Sequence, residues 1–329
     1  MKDNQGRTID YLRISITDRC NLRCTYCMPE QGVEVKAHED ILRFEELTRL
    51  AVVAGTLGFC HFRVTGGEPL ARLGVADFVA ALATQMPTAD LSLTTNATLL
   101  GPLAAELRAA GLRRVNISLD TLQPAKYASI TRRDLWPAAW QGIEAALAVG
   151  FAPVKINTVL VRGVNDDEIL AFGALTKDAP LHVRFIELMP LGEGCHISGA
   201  MVPGDEVLAT LAAAGELEHL DGRHAPAGAG PAQVYRWRGG AGTIGIIPAI
   251  SHSFCTDCNR LRLTADGKLH PCLAADTQVD VRGPLRAGAS DQELSELFRQ
   301  AIALKPKCHH MADISEAPAT TRRMYKIGG

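Results

Sequence analysis

The sequence predicts an α/β fold, an incomplete (β/α)6 barrel of the TIM type followed by a C-terminal extension. Three observations lead to this prediction. Strand and helix patterns alternate about six times before residue 190, a glycine closes three of the predicted helices, and the pattern changes after Met189. Regular alternation produces parallel strands with helices outside them, and right-handed crossovers curl such units into part or all of a barrel.

The elements of the barrel follow from apolar residues at strand or helix spacing. We predict strands over residues 11–17, 60–65, 91–95, 113–119, 154–160 and 182–188. The helices between them cover residues 44–57, 75–86, 103–110, 138–149 and 166–176. Gly58, Gly111 and Gly150 each fit the left-handed residue just past a helix end. In such a barrel the functional site lies at the carboxyl ends of the strands.

We divide the chain into a barrel region, residues 1–190, and a second region, residues 191–329, that closes the barrel's open side. The second region begins with a polar, glycine-rich stretch over 192–199 and a predicted helix over 203–214. A Gly/Pro/Ala connector over 224–232 predicts a mobile surface loop, and residues 233–247 predict a short hairpin. A helix is predicted over 291–304, and the tail after it shows no period.

The composition is that of a globular protein. Of the 329 residues, 47% are apolar and 21% charged, which excludes disorder and allows one large domain or two smaller ones. The net charge of -2 argues against a surface that binds nucleic acid. The sequence contains no run of 18 apolar residues, so it predicts no membrane-spanning helix. The first ten residues are polar and lack the apolar core of a signal peptide. We therefore expect a cytoplasmic protein with reduced thiols and no nucleic-acid or membrane partner.

The nine cysteines suit a disulfide framework poorly, because their number is odd and their spacing uneven. Six fall into two groups, Cys20, Cys24, Cys27 and Cys255, Cys258, Cys272. The other three stand apart, and we interpret them as small buried or incidental thiols: Cys60, Cys195, Cys308. Grouped thiols in a reducing compartment indicate metal ligation.

The first group has the spacing C-x3-C-x2-C directly after the first predicted strand. An extended segment of this length would spread the thiols too far apart for one small cluster, so a ligating segment has to curl into a loop. One alternative is a buried helix stripe, because the same spacing falls on one helix face. Another is zinc, with His38 as the nearest fourth ligand. In an iron–sulfur cluster, three thiolates leave one iron open.

The second group leaves similar alternatives. Cys255, Cys258 and Cys272 offer three thiolates, and His252 and His270 are the nearest candidates to complete a zinc site. Otherwise the group holds a second cluster with an open iron. Two such clusters in one chain imply two different tasks.

Two motifs of the barrel region resemble the radical S-adenosylmethionine (SAM) superfamily. They are CNLRCTYC over residues 20–27 and TGGEP over residues 65–69, which stand at strand ends one unit apart. The resemblance implies a 4Fe-4S cluster on Cys20, Cys24 and Cys27 whose open iron binds the amino and carboxylate groups of SAM. It also implies that the reduced cluster cleaves SAM to a 5'-deoxyadenosyl radical.

Within that superfamily the whole chain, from about residue 9, resembles the GTP 3',8-cyclase family, lyases of molybdenum cofactor biosynthesis. The likeness lies in LRISITDRC over residues 12–20, GTIGII over 242–247, SFCTDCNRLRLTADG over 253–267 and the terminal IGG. It implies a second 4Fe-4S cluster that meets the substrate. The radical would take the C3' hydrogen of GTP, and C3' would attack C8 to give 3',8-cyclo-7,8-dihydro-GTP, with methionine and deoxyadenosine as co-products.

The same resemblance implies partners. The product would pass to cyclic pyranopterin monophosphate synthase, and electrons would come from a flavodoxin or ferredoxin. The oligomeric state stays open, with a homodimer among the options.

Basic residues near the strand ends and the cysteine groups suit a triphosphate. Each contact between a cation and a phosphate charge is worth about 4 kcal/mol at 4 Å and an effective dielectric of about 20. A nearly neutral chain must therefore concentrate its cations locally, and five candidates stand near strand ends or cysteines: Arg13, Arg63, Lys155, Arg260, Arg262. Taken singly, each arginine is equally well explained by a structural ion pair or a solvated charge.

The family resemblance assigns roles by motif position. For GTP the matching residues are Arg13, Arg63, Thr94, Lys155, Arg260 and Arg262. For SAM they are Tyr26, Gly67, Ser118 and Met189. Activity is expected to need Arg262 and the terminal Gly328 and Gly329. One departure is Ala97, where the family commonly has glycine after the Thr-Thr-Asn triplet.

Two other functions compete with this reading. A radical SAM peptide-modifying enzyme also carries an auxiliary cluster, but it usually has more cysteines and needs no triphosphate-binding bases. A zinc-binding module that contacts RNA would be colourless, whereas a protein with two clusters is brown.

Overall fold

A computed structural model describes residues 1–33, 36–191, 193, 199–222, 224–228, 230–309 and 311. Six strands form the predicted barrel series: β1 Tyr11–Ser15, β2 His61–Thr65, β3 Asp90–Thr95, β4 Arg114–Ser118, β5 Val154–Leu160 and β6 Leu181–Glu187. Six more follow: β7 Leu217–Leu220, β8 Gln233–Trp237, β9 Thr243–Ile247, β10 Arg260–Leu263, β11 Lys268–His270 and β12 Val279–Asp280.

The helices lie between and after these strands. They are α1 Phe44–Thr56, α2 Val75–Gln85, α3 Leu100–Ala109, α4 Pro124–Thr131, α5 Trp136–Ala148, α6 Ile169–Asp178, α7 Gly204–Ala214, α8 Arg282–Arg286 and α9 Asp291–Ala303. In the described part of the chain, no helix is long and apolar enough to cross a membrane.

The strands form one open sheet in the order β12-β11-β10-β1-β2-β3-β4-β5-β6-β9-β8-β7. Every neighbouring pair from β10 to β9 is parallel. The predicted incomplete barrel is therefore confirmed. The later part of the chain adds a parallel strand at each side of the six-strand series, β10 beside β1 and β9 beside β6, so both parts build one sheet.

The two faces of this sheet differ sharply in polarity. On the outer face, Leu12, Phe62 and Val115 are buried in a continuous apolar core with the helices. Side chains of a strand alternate between faces, so Arg13 faces the opposite, inner side. The register pairs Arg13 with both Arg262 and Arg63. The inner face of the barrel is therefore lined by polar and charged groups.

Most predicted elements lie within a few residues of the observed ones. The residues after α1, α3 and α5 have the positive φ expected there, +92° at Gly58, +102° at Gly111 and +77° at Gly150. The prediction missed helix α4, which begins at Pro124 in the first helical turn, where a missing N–H costs nothing. It also missed the short elements β7, β11, β12 and α8.

Candidate active site

The first cysteine group lies in a loop directly after β1. Residues 20–27 contain no helix, so the buried helix stripe is wrong. The loop curls back on itself, since Cys27 N donates to Cys24 O at 2.9 Å. It is also tied to the end of α4, because Arg23 N donates to Thr131 O at 2.9 Å. The loop therefore lies at the carboxyl end of the sheet, and its three cysteines line one cavity.

The glycines after β2 permit close contact with the approach to this loop. Gly67 N donates to Thr17 O at 2.8 Å, and a Cβ on Gly67 would lie 2.3 Å from the carbonyl oxygen of Arg19. A Cβ on Gly66 would lie 2.6 Å from Thr17 O. Only glycine fits here without moving the backbone that leads to Cys20.

Glu68, which follows β2, connects the carboxyl ends of β2 and β3. Its carboxylate accepts hydrogen bonds from Leu70 N at 3.0 Å, Thr95 Oγ1 at 2.8 Å and Asn96 N at 2.7 Å. Burial raises the pKa of this carboxyl to about 7. Asn96 in turn donates to Asn21 Oδ1 at 2.8 Å. Glu68 thus fixes the loops around the first cysteine group.

Tyr26 reaches a buried carboxyl that the sequence analysis did not single out. Its hydroxyl donates to Asp120 Oδ2 at 2.6 Å, and Val159 N donates to Asp120 Oδ1 at 2.9 Å. Burial raises the pKa of Asp120 to about 6. Asp120 stands two residues after Ser118, on the same face of the chain where β4 ends.

One cavity of about 290 Å³ collects most of the predicted site residues. Twelve of them line it: Arg13, Cys20, Cys24, Tyr26, Cys27, Arg63, Gly67, Thr94, Ser118, Met189, Arg260 and Arg262. Four predicted residues do not line it: Lys155, Cys255, Cys258 and Cys272. The second cysteine group adjoins the cavity through neighbouring residues, Phe254 and Leu273, which do line it.

The inner face beneath the cavity is rich in buried cations. On strands β10 and β1 to β6, seven arginines and lysines share this face: Arg13, Arg63, Arg114, Lys155, Arg184, Arg260 and Arg262. Burial, and then the nearby charges of Arg184, Arg114 and Arg63, lower the pKa of Lys155 to about 5. Burial likewise lowers the pKa of Arg184 to about 9. The same face carries Asp90, so basic side chains outnumber the carboxylates on it but do not stand there without any.

Two of these cations were not predicted as site residues. Arg184 donates to Asn157 Oδ1 at 2.8 Å and to Asn116 Oδ1 at 2.7 Å, both neutral acceptors. Arg114 forms an ion pair with Asp90. Both arginines lie in predicted strands, at alternating positions that face the inner side of the sheet. This alternation was the sequence signal that could have identified them as site residues.

The connector over residues 224–232 is exposed at Ala227, Gly228 and Gly230, as expected of the predicted surface loop, but it also contacts the inner face of the sheet. Lys155 Nζ donates to Ala227 O at 2.6 Å and to Gly228 O at 2.7 Å. Arg114 Nη1 also donates to Ala227 O, at 2.9 Å. Gly228 and Gly230 line the cavity. This exposed connector therefore places two backbone carbonyls against basic side chains of the inner face.

The second cysteine group surrounds the start of β10. Cys255 lies in the 3-10 turn Cys255–Asp257, and Cys258 precedes the strand that carries Arg260 and Arg262. Cys272 follows β11, whose His270 pairs with Arg262. The two cysteine groups therefore approach the same cavity from different strands.

One histidine that could complete a zinc site on the second cysteine group has another partner. His252, a candidate zinc ligand, lies against Asp205 at 3.1 Å.

The remaining cysteines and the terminal glycines are not placed at this site by the described residues. Cys60 and Cys308 are exposed, so of the two interpretations given for them the buried thiol is wrong and the incidental thiol agrees with their exposure. Cys195, Gly328 and Gly329 lie outside the described residues.

Comparisons with known proteins agree with this arrangement. Residues 14–175 match the Radical SAM superfamily, and residues 181–311 match Molybdenum Cofactor Synthesis C. The GTP 3',8-cyclase of Moorella thermoacetica is 52% identical over 329 residues, and that of Heliobacterium modesticaldum is 49% identical over 330, each covering 100% of both chains. The structure of Streptococcus suis SuiB bound to precursor peptide SuiA shares the fold, with a TM-score of 0.59 and 13% identity over 92% of this chain and 72% of that one. On this full-length similarity, the chain belongs to the GTP 3',8-cyclase family of the radical SAM superfamily.

Proposed function

We propose that this chain binds GTP in the cation-lined cavity and converts it to 3',8-cyclo-7,8-dihydro-GTP, the first step of molybdenum cofactor biosynthesis. The observation that carries the proposal is the set of seven basic residues on the inner face, which opens to the first cysteine loop. A triphosphate would bring negative charge to a face on which basic side chains outnumber carboxylates, and arginine forks suit phosphate oxygens.

The first cysteine loop would hold the radical-generating cofactors. Cys20, Cys24 and Cys27 would ligate a 4Fe-4S cluster and leave one iron for SAM, which would lie against Tyr26, Gly67, Ser118 and Met189. When bound, cluster and SAM supply a 5'-deoxyadenosyl radical. The chain itself orients Tyr26 through its hydrogen bond to Asp120.

The second cysteine group would hold a second 4Fe-4S cluster that meets the guanine. On this reading, residues 1–190 form the SAM-binding part and residues 191–329 the part that adds the second cluster. Arg260 and Arg262 on β10 would connect that cluster with the phosphates, which would extend toward Arg13, Arg63, Thr94 and Lys155. Arg262, with Gly328 and Gly329, would be required for the cyclisation.

The remaining partners follow from the family. We infer a downstream cyclic pyranopterin monophosphate synthase and a flavodoxin- or ferredoxin-type electron donor, with a homodimer still to be tested by the oligomeric state. Six grouped thiols favour a reducing compartment, and we therefore propose a cytoplasmic location.

An anaerobic assay with GTP, SAM and a strong reductant tests the function directly. Reconstituted protein should bind about eight irons, and mass spectrometry should detect the cyclised triphosphate together with deoxyadenosine. Iron for one cluster only, or deoxyadenosine without cyclised triphosphate, would contradict the proposal. A peptide-modifying function has support only in the fold likeness to SuiB.

A further inference from the structure

We propose that Lys305 is a positioning residue of the second cysteine group, which fastens its two chain segments together and donates a hydrogen bond to the Cys258 sulfur. The proposal rests on the proposed function, in which Cys255, Cys258 and Cys272 hold an iron–sulfur cluster. Lys305 belongs to none of the motifs discussed above.

The contacts of Lys305 reach both segments of the group. Its Nζ lies 3.4 Å from Cys258 Sγ, and it donates to Arg260 O and Pro271 O, each at 2.8 Å. Arg260 stands two residues after Cys258, and Pro271 directly precedes Cys272. One ammonium has three N–H groups, and these three contacts use all of them. The side chain therefore bridges the cysteine turn and the Cys272 segment.

The position of Lys305 is itself fixed from the opposite end of the chain. The residue is 6% exposed and lies two residues after α9. Arg7 holds the adjoining backbone, because its Nη2 donates to Pro306 O at 2.7 Å and its Nη1 to Cys255 O at 2.8 Å. Asp3 pairs with Arg7 at 2.6 Å. The ammonium thus has little freedom to leave the cysteine sulfur.

A buried ammonium at this place has an electrostatic consequence. A cluster on three thiolates carries net negative charge, and one-electron reduction adds another. A cation in hydrogen-bond contact with a ligand sulfur stabilises the reduced form more than the oxidised form. Arg260 and Arg262 also lie near, but Lys305 is bonded directly to the segment that carries them. Its removal should therefore change both the potential of the cluster and the placement of β10.

The test uses the full chain with Cys20, Cys24 and Cys27 changed to alanine, so that only the second cluster contributes. In this background Lys305→Met, Lys305→Arg and Lys307→Met are reconstituted anaerobically, and iron content and EPR-monitored redox titrations are compared. Lys307 is exposed, two residues along the same segment, and serves as the matched control. Loss of the ammonium should shift the reduction equilibrium about tenfold toward the oxidised form, about 59 mV for one electron.

The outcomes separate the inference from the function on which it rests. In Lys305→Arg and Lys307→Met, the reduction equilibrium of the second cluster should stay within about threefold of the parental value. Loss of iron in Lys305→Met alone would also support the proposal, since the charge would then be needed to hold the segments. A Lys305→Met protein with full iron and the parental potential overturns it, as does equal iron loss in Lys305→Met and Lys305→Arg. If the parent itself binds no iron, the second cluster of the proposed function fails.

Discussion

Lys155 should take up a proton when GTP binds. Burial, together with Arg184, Arg114 and Arg63, lowers its pKa to about 5, so the side chain is neutral at pH 7 in the free protein. A triphosphate beside it should restore the charge. The same lowered pKa makes the free protein lose a proton on folding between about pH 5 and the ordinary pKa of 10.5, so its stability should rise with pH in that window.

The magnitudes favour uptake of about one proton. Protonating a lysine of pKa about 5 at pH 7 costs about 3 kcal/mol. The attraction between a protonated Lys155 and one phosphate charge at about 4 Å is about 4 kcal/mol at an effective dielectric of about 20, which already exceeds this cost. A second phosphate charge nearby would increase the attraction further. Between the free and bound pKa values, GTP affinity should therefore weaken by up to about tenfold per pH unit as the pH rises.

Calorimetry in buffers of different ionisation enthalpy measures this uptake on the reconstituted protein. Lys155→Met should bind GTP about tenfold more weakly and take up no proton. Arg63→Gln is the matched control, because it loses a phosphate partner but should keep the proton uptake. His182 lies beside Lys155 in the register, and burial with Lys155 and Arg184 lowers its pKa to about 4. Undiminished uptake in Lys155→Met would refute the reasoning and indicate His182.

Three other variants test the rest of the site. Cys20→Ala should stop deoxyadenosine formation and remove about four irons while GTP binding persists, and continued formation in a chromatographic assay would refute the first-cluster assignment. Arg262→Ala should bind GTP but yield no cyclised triphosphate by mass spectrometry; normal cyclisation would remove its catalytic role. Gly67→Ala would bring a Cβ to 2.3 Å from Arg19 O and should destabilise the fold by about 3 kcal/mol, so an unchanged melting temperature would contradict the packing described above.

The barrel series was predictable because its signals are local. A glycine after a helix and an alternating strand both reveal themselves within a few residues. No local signal predicts the pairing of β6 with β9 or of β1 with β10, because the paired residues lie far apart in the sequence. Arg184 pairs with Gly245, and Arg13 pairs with Arg262. Long-range pairs of this kind depend on the packing of the whole sheet.

Site residues that belong to a sequence motif could be predicted, whereas residues that only the strand register brings to the site could not. The first cysteine group and the glycine-rich segment follow β1 and β2 at the carboxyl end of the sheet, whereas Arg114 and Arg184 emerged only from the register. The contacts of the connector over 224–232 could not be predicted, because they use backbone carbonyls, which composition does not reveal. Ala97 shows the reverse case: its φ of +63° lies in the left-handed region that glycine adopts without strain, which explains the glycine common at this position in the family.

The carbonyls of Ala227 and Gly228 make nucleotide binding an exchange. In the free protein they accept hydrogen bonds from the neutral Lys155 amine and from the Arg114 guanidinium, without adding charge. A ligand that binds these two side chains must displace the same two carbonyls whether it brings one phosphate or three. A monophosphate would gain little electrostatic free energy in return for displacing these carbonyls, whereas a triphosphate would gain much. The backbone of the connector therefore favours ligands with a longer phosphate chain.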